Sequence, residues 1–177
     1  THYEIQNMAL GLGLNLPGMM TWDLMRLLDY IETCDDCDAD RIGCGGMSGG
    51  GMQTLWLAAL DERVKCAVIS GYYYGAKESL LQLPQNCSCN FVPNLWRFVD
   101  MGDIGSLIAP RPLLIESGVL DPLNGASGIA NVLSQIEITR QAFANFDASE
   151  NLVHHIHDGG HEWNGKLTMD FVEKFMT

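Results

Sequence analysis

Between Thr21 and Glu32 the side chains of Trp22, Leu24, Met25, Leu27, Leu28 and Ile31 are apolar, while Asp23, Arg26 and Tyr30 recur at helical spacing. That pattern predicts a largely buried amphipathic helix, with Thr21 placed to cap its start. A polar loop from Thr33 to Asp40 follows, and then the period changes. Arg41 to Met47 (RIGCGGM) is short, apolar and glycine-rich, and reads as a strand that turns sharply at Ser48 into a helix from about Gly51 to Leu60. Val64 to Ser70 (VKCAVIS) and Arg111 to Ser117 (RPLLIES) have the near-continuous apolar character of parallel strands covered on both faces, and Leu152 to His157 (LVHHIH) is a weaker instance. A helix is expected within Gly128 to Phe146, and another from about Lys166 to Phe175. From Gly75 to Asp100 no period holds. This stretch contains Pro84, Pro93 and Cys87-x-Cys89, and reads as an insertion or lid.

Strands alternating with helices predict an α/β fold, a mostly parallel sheet flanked by helices, with the ligand site at the carboxyl ends of the strands. The 177 residues, 47% of them hydrophobic, suit a single catalytic domain over the whole chain. The formal net charge is -12, and the 10 basic residues are scattered rather than clustered. Nucleic acid is therefore an unsuitable partner, since phosphate binding needs grouped Lys and Arg. No window has the unbroken apolar length of a membrane span, so no membrane partner is expected. The compartment stays open, with the cytoplasm slightly favoured. Of the six cysteines, Cys44 and Cys66 fall in apolar strands and read as buried thiols. Cys34-x-x-Cys37 and Cys87-x-Cys89 leave open a local disulfide or a four-thiolate metal site, but the second spacing is wrong for a usual zinc knuckle. No metal ligand and no cofactor is assigned.

Gly46-Met47-Ser48-Gly49-Gly50 fits G-x-S-x-G, a serine on a tight turn between strand and helix. Neighbours without side chains let the backbone bend and the hydroxyl project. A phosphate loop is the other reading of these glycines, but no Lys follows them and no acid ends the next strand. A serine hydroxyl needs a base, and the base an orienting carboxylate. Asp121 follows the third strand in Gly118-Val119-Leu120-Asp121-Pro122, and His161 follows the fourth in Asp158-Gly159-Gly160-His161-Glu162. The candidate catalytic residues are thus Ser48, Asp121 and His161, with the Gly49 amide as an oxyanion-hole donor. Asp158 is the rival acid, but it lies too close in sequence to His161 to reach it easily. His154, His155 and His157 meet no metal-ligand spacing and read as structural. Tyr72, Tyr73 and Tyr74 end the second strand near the expected site, with core packing their ordinary fate.

On these residues the sequence resembles the α/β-hydrolase superfamily, and within it the acetyl xylan esterase and dienelactone hydrolase-like group. The likeness runs through MTWDLMRLLDYIET, DRIGCGGMSGGGMQTLWLAALDERVKCAVISGYY, CSCNFVPNLW, DMGDIGSLIAPRPLLIESGVLDPLNG and GGHEWNG. It implies hydrolysis of carboxylic esters of short-chain or acetyl type, with Ser48 as nucleophile, His161 as base and then acid, and Asp121 orienting the imidazole. Dienelactone hydrolases proper use cysteine at the elbow, so the serine points to the esterase side. In the family, strands and a helix precede the helix that opens the recognisable likeness, and a loop among them carries one oxyanion donor. The sequence offers Gly49 but no second donor, a loss worth on the order of 10²- to 10³-fold in rate. The likeness therefore implies a truncated α/β-hydrolase fold: either the chain is a fragment, or it associates, most simply as a homo-oligomer, or with a chain supplying the other half. A prolyl oligopeptidase-type peptidase and an inactive binding module are the alternative readings.

Overall fold

The computed structural model describes residues 1–83 and 87–177, so Pro84 lies outside the described residues. Four parallel strands form one sheet in the order β1-β2-β3-β4: β1 is Ile42–Met47, β2 Val64–Ser70, β3 Leu113–Gly118 and β4 Leu152–His157. Among the described residues there are six α-helices: α1 His2–Gly11, α2 Leu16–Ile31, α3 Gly49–Leu60, α4 Met101–Ser106, α5 Ile129–Asn145 and α6 Thr168–Met176. Strand alternation divides the core in two. Ala67, Ile69, Leu113 and Ile115 point into the larger cluster with Met52 and Leu55 of α3 and with Ile136 and Phe143 of α5. Cys66, Val68 and Leu114 point the other way, onto Phe171 of α6. A sheet covered on both faces explains why β2 and β3 are almost wholly apolar.

Several boundaries differ from the sequence-based expectation, each for a local reason. Helix α2 begins at Leu16 rather than Thr21, because the Asn15 side chain caps it by accepting from Gly18 N (2.8 Å) and Pro17 occupies its first turn. Thr21 is therefore interior and donates its hydroxyl to Pro17 O (2.8 Å). The helix is also less buried than its pattern predicts: Leu28 packs in the core, but Trp22 and Leu27 are exposed, as is Tyr30 on the polar face. β3 starts at Leu113 rather than Arg111. The Arg111 guanidinium instead turns back and donates to the carbonyls of Ala58, Asp61 and Val64, satisfying groups left bare where α3 ends. The 75–100 stretch contains a π-helical turn at 77–81 and two 3₁₀ turns at 88–90 and 95–97. The two cysteine pairs do not meet: Cys34 and Cys37 lie together beside Asp36, whereas Cys87 and Cys89 group with His2. All six cysteines are thiols, with Cys66 buried and Cys44 half-buried.

Candidate active site

Ser48 sits between the end of β1 and the first turn of α3 with φ 57° and ψ -117°. A non-glycine residue in the left-handed region costs roughly 1–3 kcal/mol, and it persists only where the surroundings over-determine it. Here the determinants are visible. Ser48 N donates to Ser70 O of the neighbouring strand (2.9 Å), and Ser48 O accepts from Met52 N (2.9 Å), which starts α3. The tight crossing of β1 and α3 requires Gly46, where a Cβ would lie 2.3 Å from the Gly50 backbone. Gly51 is required likewise, because its Cβ would meet Ser70 O and Tyr72 Cβ at 2.9 Å, whereas at Gly50 there is open space. The glycine that the motif counts at position 50 is thus less constrained than its neighbour.

The hydroxyl points to the ends of β3 and β4. His161 Nε2 lies 2.8 Å from Ser48 Oγ, and His161 Nδ1 lies 2.8 Å from Asp121 Oδ2. The Asp121 side chain is 2% exposed against 27% for His161, so the carboxylate is sealed behind an imidazole whose far edge meets the solvent side. Asp121 Oδ1 accepts from Leu123 N (2.8 Å), which fixes the carboxylate plane. The acid loop and the histidine loop are laced together: Val119 N donates to His157 O (2.9 Å) and Leu120 N to Gly159 O (3.0 Å). Asp158 is exposed and His161 turns to Asp121 instead. Gly49, the first residue of α3, presents its backbone N–H at the helix N-terminus beside Ser48, where amides have no intrahelical acceptor.

Beside Ser48 and Gly49 opens a mainly apolar cavity of about 410 Å³, walled by Tyr72, Tyr74, Leu83, Cys89, Pro122 and Leu123. The three consecutive tyrosines split their work. Tyr72 and Tyr74 face the cavity, with the Tyr72 hydroxyl donating to Asn90 Oδ1 (2.6 Å), while Tyr73 is in the core on Thr139. Burial raises the Tyr74 phenol above its usual range, helped by the Asp121 charge nearby, so it is neutral at ordinary pH. The three histidines of β4 take structural partners: His154 Nε2 pairs with Ser117 Oγ (3.1 Å) and His155 Nε2 with Asn164 Oδ1 (3.1 Å), and His157 Nδ1 accepts from Gly159 N (3.1 Å).

Two supporting residues escaped the sequence reading. Gly71, at φ 60°, leaves room where His161 and Asp121 meet: a Cβ there would lie 3.3 Å from the His161 ring and 3.6 Å from Asp121 Oδ2. Glu116 is wholly buried in β3 and accepts from Gly165 N (3.0 Å), tethering the segment that follows His161. A lone carboxylate inside the apolar run RPLLIES was the available signal, since buried charges are retained only with partners.

No protein-family model matches the chain. "Putative hydrolase YtaP" of Bacillus subtilis (strain 168) is 37% identical over 121 residues, 67% of this chain and 40% of that protein. A structure described as a "putative acetyl xylan esterase" from Bacteroides fragilis superposes with a TM-score of 0.80 at 17% identity, over 98% of this chain and 52% of the other. A CE15 glucuronoyl esterase from Teredinibacter turnerae superposes with a TM-score of 0.69 at 23% identity, over 87% of this chain and 45% of the other. The chain therefore spans about half the length, or less, of the proteins it matches. With its parallel sheet, its strained serine turn and these structural likenesses, the chain shares the α/β fold of these esterases over the part that superposes.

Proposed function

We propose that this chain carries the catalytic machinery of a serine esterase acting on short-chain or acetyl esters of carboxylic acids. The observation that carries the reading is the continuous Ser48–His161–Asp121 relay, with both contacts at 2.8 Å, on a strained turn that opens into an apolar cavity. Ser48 Oγ attacks the ester carbonyl carbon while His161 Nε2 takes its proton, and Asp121 holds the imidazole by Nδ1–H and stabilises the imidazolium. The tetrahedral oxyanion faces the Gly49 N–H. Collapse expels the alcohol, which takes the proton from Nε2, and leaves an acyl group on Ser48. A water then repeats the sequence, giving its proton to Nε2, and the acid departs as Ser48 is restored.

One amide is half of an oxyanion hole. The second donor, in this reading, lies outside these residues, in a preceding segment of the protein or in a partner chain such as a second copy. β1 and β4 are the edges of the sheet, and Tyr3, Met8, Leu12 and Trp22 expose large apolar side chains near them in sequence or on the helices before β1. The test is turnover of nitrophenyl acetate set against a nitroanilide peptide. Acetate ester hydrolysis without amide cleavage is the expected result. Amide cleavage at a comparable rate would point to a peptidase, and no turnover of either by folded protein to a binding module.

A further inference from the structure

Cys87 and Cys89 take no part in the relay, yet both line the cavity that Ser48 faces. Across from them stands His2, 85 residues away in sequence, with Nδ1 3.0 Å from Cys87 Sγ. Cys89 Sγ lies 2.7 Å from Cys87 Sγ, and the three donor atoms fall within 4.8 Å of one another. We infer that His2, Cys87 and Cys89 form a binding site for a thiophilic divalent cation of the zinc class, its two cysteines in the wall of the Ser48 cavity and its histidine in the adjoining cleft.

The donor chemistry selects the cation. Two thiolates and an imidazole suit zinc, whereas calcium and magnesium require oxygen ligands. Three protein donors leave one tetrahedral position for water. The donors are brought together by structure rather than by local sequence. Gln6, one helical turn after His2 on the same face of α1, is 2% exposed; its side-chain amide donates to Phe91 O (2.8 Å) and its carbonyl accepts from Leu16 N (2.6 Å). This pin holds the first turn of α1 against the 88–90 turn, with His2 over the cysteines. Cys89 N also donates to Cys87 Sγ (3.4 Å), the kind of backbone hydrogen bond that supports a ligating thiolate. Tetrahedral bonds of about 2.3 Å to sulfur and about 2.0 Å to nitrogen place donors roughly 3.5–3.8 Å apart. The donors open to that spacing by side-chain rotation, which the exposed His2 and half-buried Cys87 permit. Cys34, Asp36 and Cys37 form the other cluster, but they lie on one short loop with Cys37 and Asp36 exposed, and no distant residue is held over them.

The probe is Co²⁺ added to the full chain, reduced and stripped of metal, with Zn²⁺ as competitor. The expected result is stoichiometric thiolate-to-cobalt charge transfer with tetrahedral ligand-field bands, displaced by Zn²⁺. Cys87→Ser abolishes the thiolate bands of this site, and His2→Ala, on an exposed side chain, weakens Zn²⁺ competition by about tenfold or more while the circular dichroism is unchanged. Cys34→Ser/Cys37→Ser leaves the bands intact. The inference is overturned by reduced, folded chain that gives no thiolate–cobalt band, or by a band that survives Cys87→Ser and disappears in the Cys34/Cys37 double variant. The readout is independent of ester turnover, so it stands or falls apart from the esterase reading.

Discussion

At the scale of single residues, the account rests on how little room separates the three loops that meet at His161. Gly71 is the tightest point: its positive φ and the 3.3 Å from a Cβ to the imidazole mean that a methyl group strains the backbone and displaces the ring together. Gly71→Ala is expected to lower kcat by about 10- to 100-fold with KM little changed, because a small misplacement of the base is felt in the transition state. Equal kcat for variant and parent would show that the ring does not depend on this gap. The acid is tested by a pair of variants. Asp121→Asn is expected to lower kcat about 10⁴-fold through the wrong imidazole tautomer, and Asp158→Asn to leave it within about twofold. Reversed effects would transfer the role to Asp158. That Ser48, Asp121 and His161 would meet was legible in sequence, because these residue types follow strand ends in that order. Gly71 and Glu116 were not, because their importance arises from what another strand brings within a few ångströms. The same limit explains Gly51, which matters through Ser70 and Tyr72 rather than through the motif.

At the scale of elements, what could be read depended on how one-sided each burial is. β2 was legible to the residue, since a covered parallel strand bounded by polar turns has a distinct composition, and the half-buried edge strand β4 was bounded as closely by its weaker apolar run. Helix α1 was not read: Tyr3, Ile5, Met8 and Leu10 are exposed, so its apolar residues mark no single inner face. Its start was nevertheless written locally, as Thr1 and Glu4 form a reciprocal capping box, and Asp100 and Asp103 do the same for the short α4. The lesson of Thr21 is similar, since a residue able to cap lost to Asn15, which stands before a proline. The β4 histidines make a prediction at this scale. Burial, with Arg140 and His155 adding to it, lowers the His154 pKa from 6.5 to about 4. Between those values the unfolded chain binds a proton that the folded chain does not, so stability is complete above about pH 6.5 and falls as the pH drops toward 4. The group accounts for about 1–3 kcal/mol of that loss. Urea midpoints at pH 7 and pH 4.5 are expected to differ less in His154→Gln than in the parent. An identical difference would remove His154 as a source of acid sensitivity.

At the scale of the molecule, the sheet has two bare edges, and its helices expose apolar side chains such as Met8, Leu12 and Trp22. Association with a second copy is expected to hide part of that surface. Light scattering at micromolar concentration should then give a mass near twice 19.5 kDa, with specific ester turnover falling on dilution. A monomer with concentration-independent turnover would contradict the association. Whatever the assembly, the central claim is that Ser48 is a nucleophile made competent by its relay. The most direct measurement is exposure of the folded chain to a fluorophosphonate, followed by peptide mass spectrometry. The account predicts a stable adduct on Ser48 that is absent in Ser48→Ala and suppressed by removing the His161 imidazole. Folded protein that stays unmodified, or is modified with equal ease at other serines, would contradict it.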